Sequence, residues 1–337
     1  MENSIPYIKI GAGSWGEIYH QSGDPRAPAL KWPKPAQGSD CLWSIDREFA
    51  MQKRINSALG SSDIDIVVPT ARRLIAADDD DWWATHLPLF PAPPANRQGV
   101  SPKDILAMDR IAPLSSETRT ALTNRYCPVP ENREKVLREP ATADAMARVY
   151  LGRRRANRRP VKFFSLRNIN LWLDQLEELE AHVAAYAETM AQTLAVMHWQ
   201  VRCDARDVEF YLGGPRLGDN DSIPSRHSLF GEPVQLYMLD FNQVHEVSMD
   251  EEGVAKMVSA HAANDPYYPR PLAEGDEDLW RTFRDAYLQA SNELVQTQAA
   301  AKGETPALID LPQKFIDGVI EARRVRVAEN AEMEANA

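Results

Sequence analysis

Between Cys203 and Phe210 the chain reads Cys203-Asp204-Ala205-Arg206-Asp207-Val208-Glu209-Phe210, with four charged side chains inside six residues. Carboxylates this closely spaced suit proton transfer or metal binding, and a structural ion-pair network crowds charges in the same way. A second acidic motif, Leu239-Asp240-Phe241-Asn242-Gln243, follows an apolar run. Asp204, Glu209 and Asp240 are the candidate catalytic residues. Asp207, Asn242 and Gln243 are candidate substrate contacts. Near the N-terminus, Gly11-Ala12-Gly13-Ser14-Trp15-Gly16 has the glycine spacing that lets a loop come close to a phosphate or other ligand, although a plain turn has it too. A dinucleotide-binding loop would run on into a helix, whereas the residues that follow, Glu17-Ile18-Tyr19-His20, read as extended. Ala29-Leu30-Lys31 then sets a lysine on a third strand, and Glu48, seventeen residues on, is its candidate ion-pair partner.

The elements that must carry these groups are legible from periodicity. Alternation predicts three short strands over 5–10, 16–20 and 27–32, then a helix over 44–59 with Ser44 as its cap. Residues 64–77 and 82–90 read as two further strands around the acidic turn Asp78-Asp79-Asp80-Asp81. The segment 108–114 leaves the sheet, and the Pro-rich stretches 88–94 and 128–140 are loops. The clearest helical stripe is Leu173, Leu176, Leu179, Val183, Tyr186, Met190, Leu194 and Met197, which predicts one buried helix over 173–200. Two extended segments, 207–212 and 234–239, and helices near 251–263, 276–298 and 312–328 complete the pattern. The expected fold class is α+β, with a β-rich N-terminal lobe (1–115), a mainly helical C-terminal lobe (116–330) and a flexible tail (331–337).

The 337 residues carry a net charge of −11, with 44% apolar and 26% charged side chains, the composition of a soluble globular chain. No apolar run is long enough to cross a membrane, so no membrane association is expected. The N-terminus has no basic stretch followed by an apolar core, so no secretory signal is expected. Three scattered cysteines, Cys41, Cys127 and Cys203, support neither a zinc site nor a disulfide framework, and a cytoplasmic setting follows. The acidic total argues against a DNA-binding surface. Charge is uneven, however. Between Ala145 and Leu173 there are eight basic residues and no acidic one: Arg148, Arg153, Arg154, Arg155, Arg158, Arg159, Lys162 and Arg167. This segment, 145–173, reads either as a basic insertion that binds an RNA backbone, with Phe163 and Phe164 for stacking, or as a solvated loop.

In order, the Gly-rich loop, Lys31, Glu48, Asp204 and Asp240 resemble the protein-kinase superfamily over residues 8–245. The resemblance implies a two-lobed kinase-like fold in which Gly11, Gly13, Gly16, Lys31 and Glu48 line the substrate side of the small lobe. The signature is altered. Arg202-Cys203 precede Asp204 where kinases carry His-Arg, Glu209 stands where kinases place a metal-binding Asn, Asn242 replaces a Gly, and no Ala-Pro-Glu follows. These versions, with Asn264-Asp265-Pro266-Tyr267-Tyr268-Pro269-Arg270, resemble a fungal kinase-like family that includes arginine-containing cyclodipeptide synthases. That likeness implies joining arginyl-tRNA and a second aminoacyl-tRNA into a diketopiperazine in secondary metabolism, with aminoacyl-tRNAs as partners, no cofactor and no metal. A site selecting arginine needs carboxylates in fork geometry, which Asp204, Asp207, Glu209 and Asp240 would supply. Two other readings stay open: an atypical phosphotransferase using ATP and Mg²⁺, and a kinase-like binding protein without catalysis.

Overall fold

A computed structural model describes residues 5–34, 44–91, 102–155, 164–167, 169–216, 227–302 and 308–335. The N-terminal part is a five-stranded antiparallel sheet in the order β1-β2-β3-β5-β4, built from β1 (Tyr7–Ala12), β2 (Gly16–Gln21), β3 (Ala29–Pro33), β4 (Ala71–Ile75) and β5 (Ile105–Met108). Helix α1 (Ile45–Gly60) crosses between β3 and β4. Its buried positions Ile45, Glu48, Met51, Gln52, Ile55, Ala58 and Leu59 recur at three and four residues, so Glu48 falls on the core-facing stripe. A carboxylate on that stripe requires a cationic partner. Ser44 precedes the helix as expected, but it caps through its carbonyl, which accepts from Glu48 N at 3.1 Å, and not through its hydroxyl.

Two expectations for this half fail. Of 64–77, only Ala71–Ile75 forms a strand. Residues 82–90 are not a strand: Asp80–His86 is helix α2, followed by a 3₁₀ turn over Leu87–Leu89. The acidic run that marked a turn is a helix start, since the Asp79 carboxylate accepts from Trp82 N at 3.1 Å. The helix lets adjacent Trp82 and Trp83 both be buried, with Phe90, in a small core against β3 and β5, where strand alternation would have exposed one of them.

Residues 116–178 start with helices α3 (Ser116–Tyr126) and α4 (Arg133–Arg138). The basic segment follows, with 156–163 and 168 outside the described residues. Its ends form β6 (Ala147–Tyr150) and β7 (Ile169–Trp172), paired parallel, in a second five-stranded sheet. Its order is β7-β6-β8-β10-β9, with β8 (Glu209–Gly213), β9 (His227–Leu229) and β10 (Glu232–Leu239). The predicted extended segments are β8 and β10; β6, β7 and β9 are too short to leave a period. The stripe over 173–200 is broken as well, into α5 (Leu173–Glu178), a reversal through Glu180 at φ +53°, α6 (Val183–Ala195) and a π-helical turn over Val196–Val201. The C-terminal third is helical: α7 (Glu251–Ala263), α8 (Glu277–Lys302) and α9 (Leu311–Ala335). The last helix runs through most of the expected flexible tail.

The large core joins Met51 and Ile55 of α1 to α6, α8 and the second sheet. The chain before β4 is also stitched to β10, since Val67 N donates to Leu236 O at 2.9 Å and Met238 N to Val67 O at 3.0 Å. Asp240, at the end of β10, is thereby fixed relative to α1 and β3. Among the described residues no helix is long and apolar enough to cross a membrane.

Candidate active site

The glycine loop joins β1 to β2, closed by Gly13 N donating to Gly16 O at 2.9 Å. Gly16 is the most closely packed of the three glycines. A Cβ there would stand 3.1 Å from Trp32 O and 3.3 Å from Lys31 Cγ, so its absence lets β3 carry the lysine stem flat against the hairpin. A Cβ on Gly13 would meet nothing, while one on Gly11 would press on Ile18 at 3.3 Å.

Lys31 is buried, and its Nζ donates to Glu48 Oε1 at 2.5 Å and to Asp240 Oδ1 at 3.1 Å. Burial works against its charge, but Asp240 and Glu48 outweigh burial and hold it above the ordinary lysine value. The expected Lys31–Glu48 contact is therefore present, with Asp240 as a third member. Asp240 is at φ +69°, and Phe241 beside it is 2% exposed and anchors the motif in the core. Asn242 is buried, and neither the N nor the O of its side-chain amide has a hydrogen-bond partner among the described residues. Gln243 Nε2 donates to Asp207 Oδ2 at 2.5 Å, bringing the two acidic motifs together.

Within the 204–209 cluster the carboxylates do different work. The Asp204 side chain is 9% exposed, and its Oδ1 accepts from Arg206 N and from His245 N, both at 3.0 Å. It braces two loops from inside. Asp204→Ala is thus expected to unfold more easily, by about 2 kcal/mol, because two partly buried amides lose their acceptor. Asp204→Asn keeps the Oδ1 acceptor and should melt near wild type. Equal melting of wild type and the Ala variant in a urea titration would show that the brace is not needed.

Glu209 is enclosed. Arg148 approaches its Oε1 at 2.7 Å and the Tyr211 hydroxyl donates to its Oε2 at 2.8 Å, while Arg148 Nε donates to the same hydroxyl at 2.5 Å. Asp207 is the carboxylate left facing the others. Burial first, then the negative charges of Asp240 and Glu209, push its pKa up from 3.8 to about 6. Its backbone is left-handed, φ +62°, as are those of Arg202 (+62°) and Ala205 (+55°) in the same loop. The loop is clamped from below by Asn264, whose Oδ1 accepts from Asp207 N at 2.7 Å and whose Nδ2 donates to Ala205 O at 2.8 Å. Sequence reasoning gave Asn264 no role; a lone amide at a helix end carries no signal of its target. Cys203, beside Asp204, is buried and its thiol is pushed up to about 12 by that burial, so it offers no thiolate at neutral pH.

The basic segment is dispersed by the fold. Arg148 belongs to the Glu209 cluster, Arg153 donates to Asp265 at 2.9 Å, and Arg154 pairs with Glu177 at 2.6 Å and with Asp276. Arg155 donates its backbone N–H to Asp174 at 2.6 Å, and Arg167 is exposed. Arg158, Arg159, Lys162 and Phe163 lie outside the described residues. Phe164 packs against the core and is not free to stack. The expected field of unpaired charges is thus reduced, because acids remote in sequence neutralise Arg148, Arg153 and Arg154.

A family model described as DUF3669, Zinc finger protein, matches residues 236–299, from β10 into α8. No curated protein matches the chain. The matched residues do not suit zinc: they include no cysteine and two histidines, His245 and His261. His261 is stacked on Tyr268 at 4.8 Å within the core, and His245 lies beside Asp204. Among the described residues no group of His, Cys, Asp and Glu is arranged to hold a metal ion.

Proposed function

We propose that the chain is an aminoacyl-tRNA-dependent cyclodipeptide synthase on a two-lobed, protein-kinase-like scaffold, taking arginyl-tRNA and a second aminoacyl-tRNA. The support for the scaffold is the sheet order β1-β2-β3-β5-β4 with α1 between β3 and β4, and the Lys31–Glu48 pair that reaches Asp240. The observation that favours aminoacyl transfer over phosphoryl transfer is the state of Glu209. Its carboxylate is held by Arg148 and Tyr211, so a guanidinium engages the side chain that a phosphotransferase would need free as its second metal ligand.

In this reading Asp207 is the proton acceptor. An α-amine of one aminoacyl ester attacks the carbonyl carbon of the other and loses a proton to Asp207. The ester C–O bond breaks, and the departing ribose oxygen receives that proton. A second attack, by the free amine of the dipeptidyl ester on its ester carbonyl carbon, closes the ring; that ester C–O bond breaks, and the proton lost by the amine passes through Asp207 to the second tRNA's ribose oxygen. The esters are already activated, so the protein supplies position and proton transfer. Asp240, half-buried behind Lys31, adds negative charge for a substrate guanidinium. The buried Cys203 thiol argues for direct transfer over a cysteinyl intermediate.

The test is mass spectrometry of extracts from a bacterial host expressing the chain alone. An arginine-containing diketopiperazine absent from the empty host is the expected product. ATP turnover by the purified chain with no such product would replace this reading with the phosphotransferase, for which the Lys31–Glu48 pair is the favouring observation.

A further inference from the structure

Four arginines converge behind the clamp that holds Asp207. Asp265, next to Asn264, accepts from Arg153 at 2.9 Å and from Arg270 Nε at 2.7 Å, and Arg326 of α9 stands 3.6 Å away. Arg323, one turn earlier on α9, makes no ion pair among the described residues, and its Nε is buried without an acceptor. Three guanidiniums share one carboxylate and Arg323 lies beside them unpaired, so the four arginines carry a surplus of three positive charges in a chain whose total is −11. Three of the four, Arg270, Arg323 and Arg326, border a solvent-open pocket of about 50 Å³, whose other wall is apolar: Val258, Ala262 and Val319.

We propose that this cavity binds the phosphoryl group of an organic phosphate, with Arg323 and Arg326 as the guanidinium forks and Arg270, fixed by Asp265, as the rigid wall. Unpaired like charges in a half-buried site are unfavourable until an anion joins them. Burial and the charges of Arg270, Arg326 and Arg153 together hold the Arg323 pKa below its ordinary value, the mark of a cation lacking its counter-ion. Planar forks match phosphate oxygens in pairs. A carboxylate ligand would duplicate Asp265 and leave most of the surplus in place, whereas a phosphate dianion removes most of it. The apolar wall gives the organic part of the ligand a surface. This site does not depend on the aminoacyl-transfer reading.

The test is thermal melting of the full chain in inorganic phosphate, AMP or a short single-stranded RNA, against acetate at equal ionic strength. Phosphate and at least one of the two phosphate esters should raise the wild-type Tm by about 2 °C or more in a saturable way, and acetate should not. Arg323→Gln should lose that rise. Without phosphate it should melt at or above wild type, because it relieves repulsion; a merely structural arginine would do the opposite. Arg326→Gln, at a side chain 49% exposed, should weaken the response at least tenfold in concentration without a folding defect. A response to AMP but not RNA marks a small-molecule site, and the reverse marks an RNA contact. No phosphate response in wild type, an equal one in acetate, or an unchanged one in both variants would overturn the proposal.

Discussion

Asp207→Asn is expected to abolish diketopiperazine formation and to raise stability at neutral pH. Both effects have one source. The Asp207 carboxyl is pushed up from 3.8 to about 6 by burial and by Asp240 and Glu209. A folded-state pKa above the unfolded one means that the folded protein binds the proton more tightly. That stabilisation is fully present below pH 3.8 and is lost as pH rises through about 6. Above pH 6 the ionised group weighs against folding. Two pH units correspond to about 3 kcal/mol, which partial access to water reduces to about 1 kcal/mol. Asn lacks the charge, keeps an acceptor for Gln243 and tolerates the left-handed backbone at this position. The variant should therefore melt higher than wild type at pH 8 and no differently near pH 4. Wild-type activity should rise with pH through about 6 and then level, since the acceptor must be ionised. An active Asn variant, or one less stable at pH 8, would remove Asp207 from this role.

Lys31→Met is expected to have the largest effect on folding. Lys31 is the cation that neutralises Glu48 on the core side and Asp240 on the cleft side. Removing one partner of a buried ion pair costs about 3–5 kcal/mol, because the other is left charged and unpaired. The double variant Lys31→Met, Glu48→Gln should recover a large part of that loss, since the buried carboxylate is gone. It should stay inactive, because the Asp240 side chain loses the lysine that orients it. A urea titration of the four proteins in the cycle measures the coupling, and additive losses would show that the pair does not interact.

The sequence was most informative where one residue type at one spacing has few physical solutions. Lys31 and Glu48 met because a lysine on a strand and a glutamate on the apolar stripe of α1 can be buried only together. Helices α7 and α8 were legible because each keeps its stripe over three turns or more, and α9 because its first turns repeat the pattern at Leu311, Phe315, Ile316 and Val319. Other features were hidden. Trp82 and Trp83 looked like a strand because the cap at Asp79 outweighs local alternation. The basic run looked like one surface, yet Glu209, Asp265, Glu177 and Asp276, each distant in sequence, take up its arginines. Asp204 was placed among the reacting groups by its spacing alone, and its two backbone amides could not be foreseen from it. Asp207 gained its raised pKa from burial first and then from Asp240, more than thirty residues away, neither of which its local sequence reveals.

The left-handed backbone at Arg202, Ala205, Asp207 and Asp240 has a bearing on how this protein can change over generations. Such a conformation costs a side chain with a Cβ about 1 kcal/mol or more, and glycine almost nothing. Glycine at 202 or 205 is therefore an easy route to a sturdier protein, within reach of a heat-selected library. The same replacements would loosen the loop that holds Asp207 against Asp240. Selection for heat resistance alone should enrich glycine there and erode catalysis, whereas selection for product should keep the strained residues. β-Branched residues should be excluded under both regimes, so the permitted alphabet at these positions is set by backbone geometry before any chemistry is asked of the side chain.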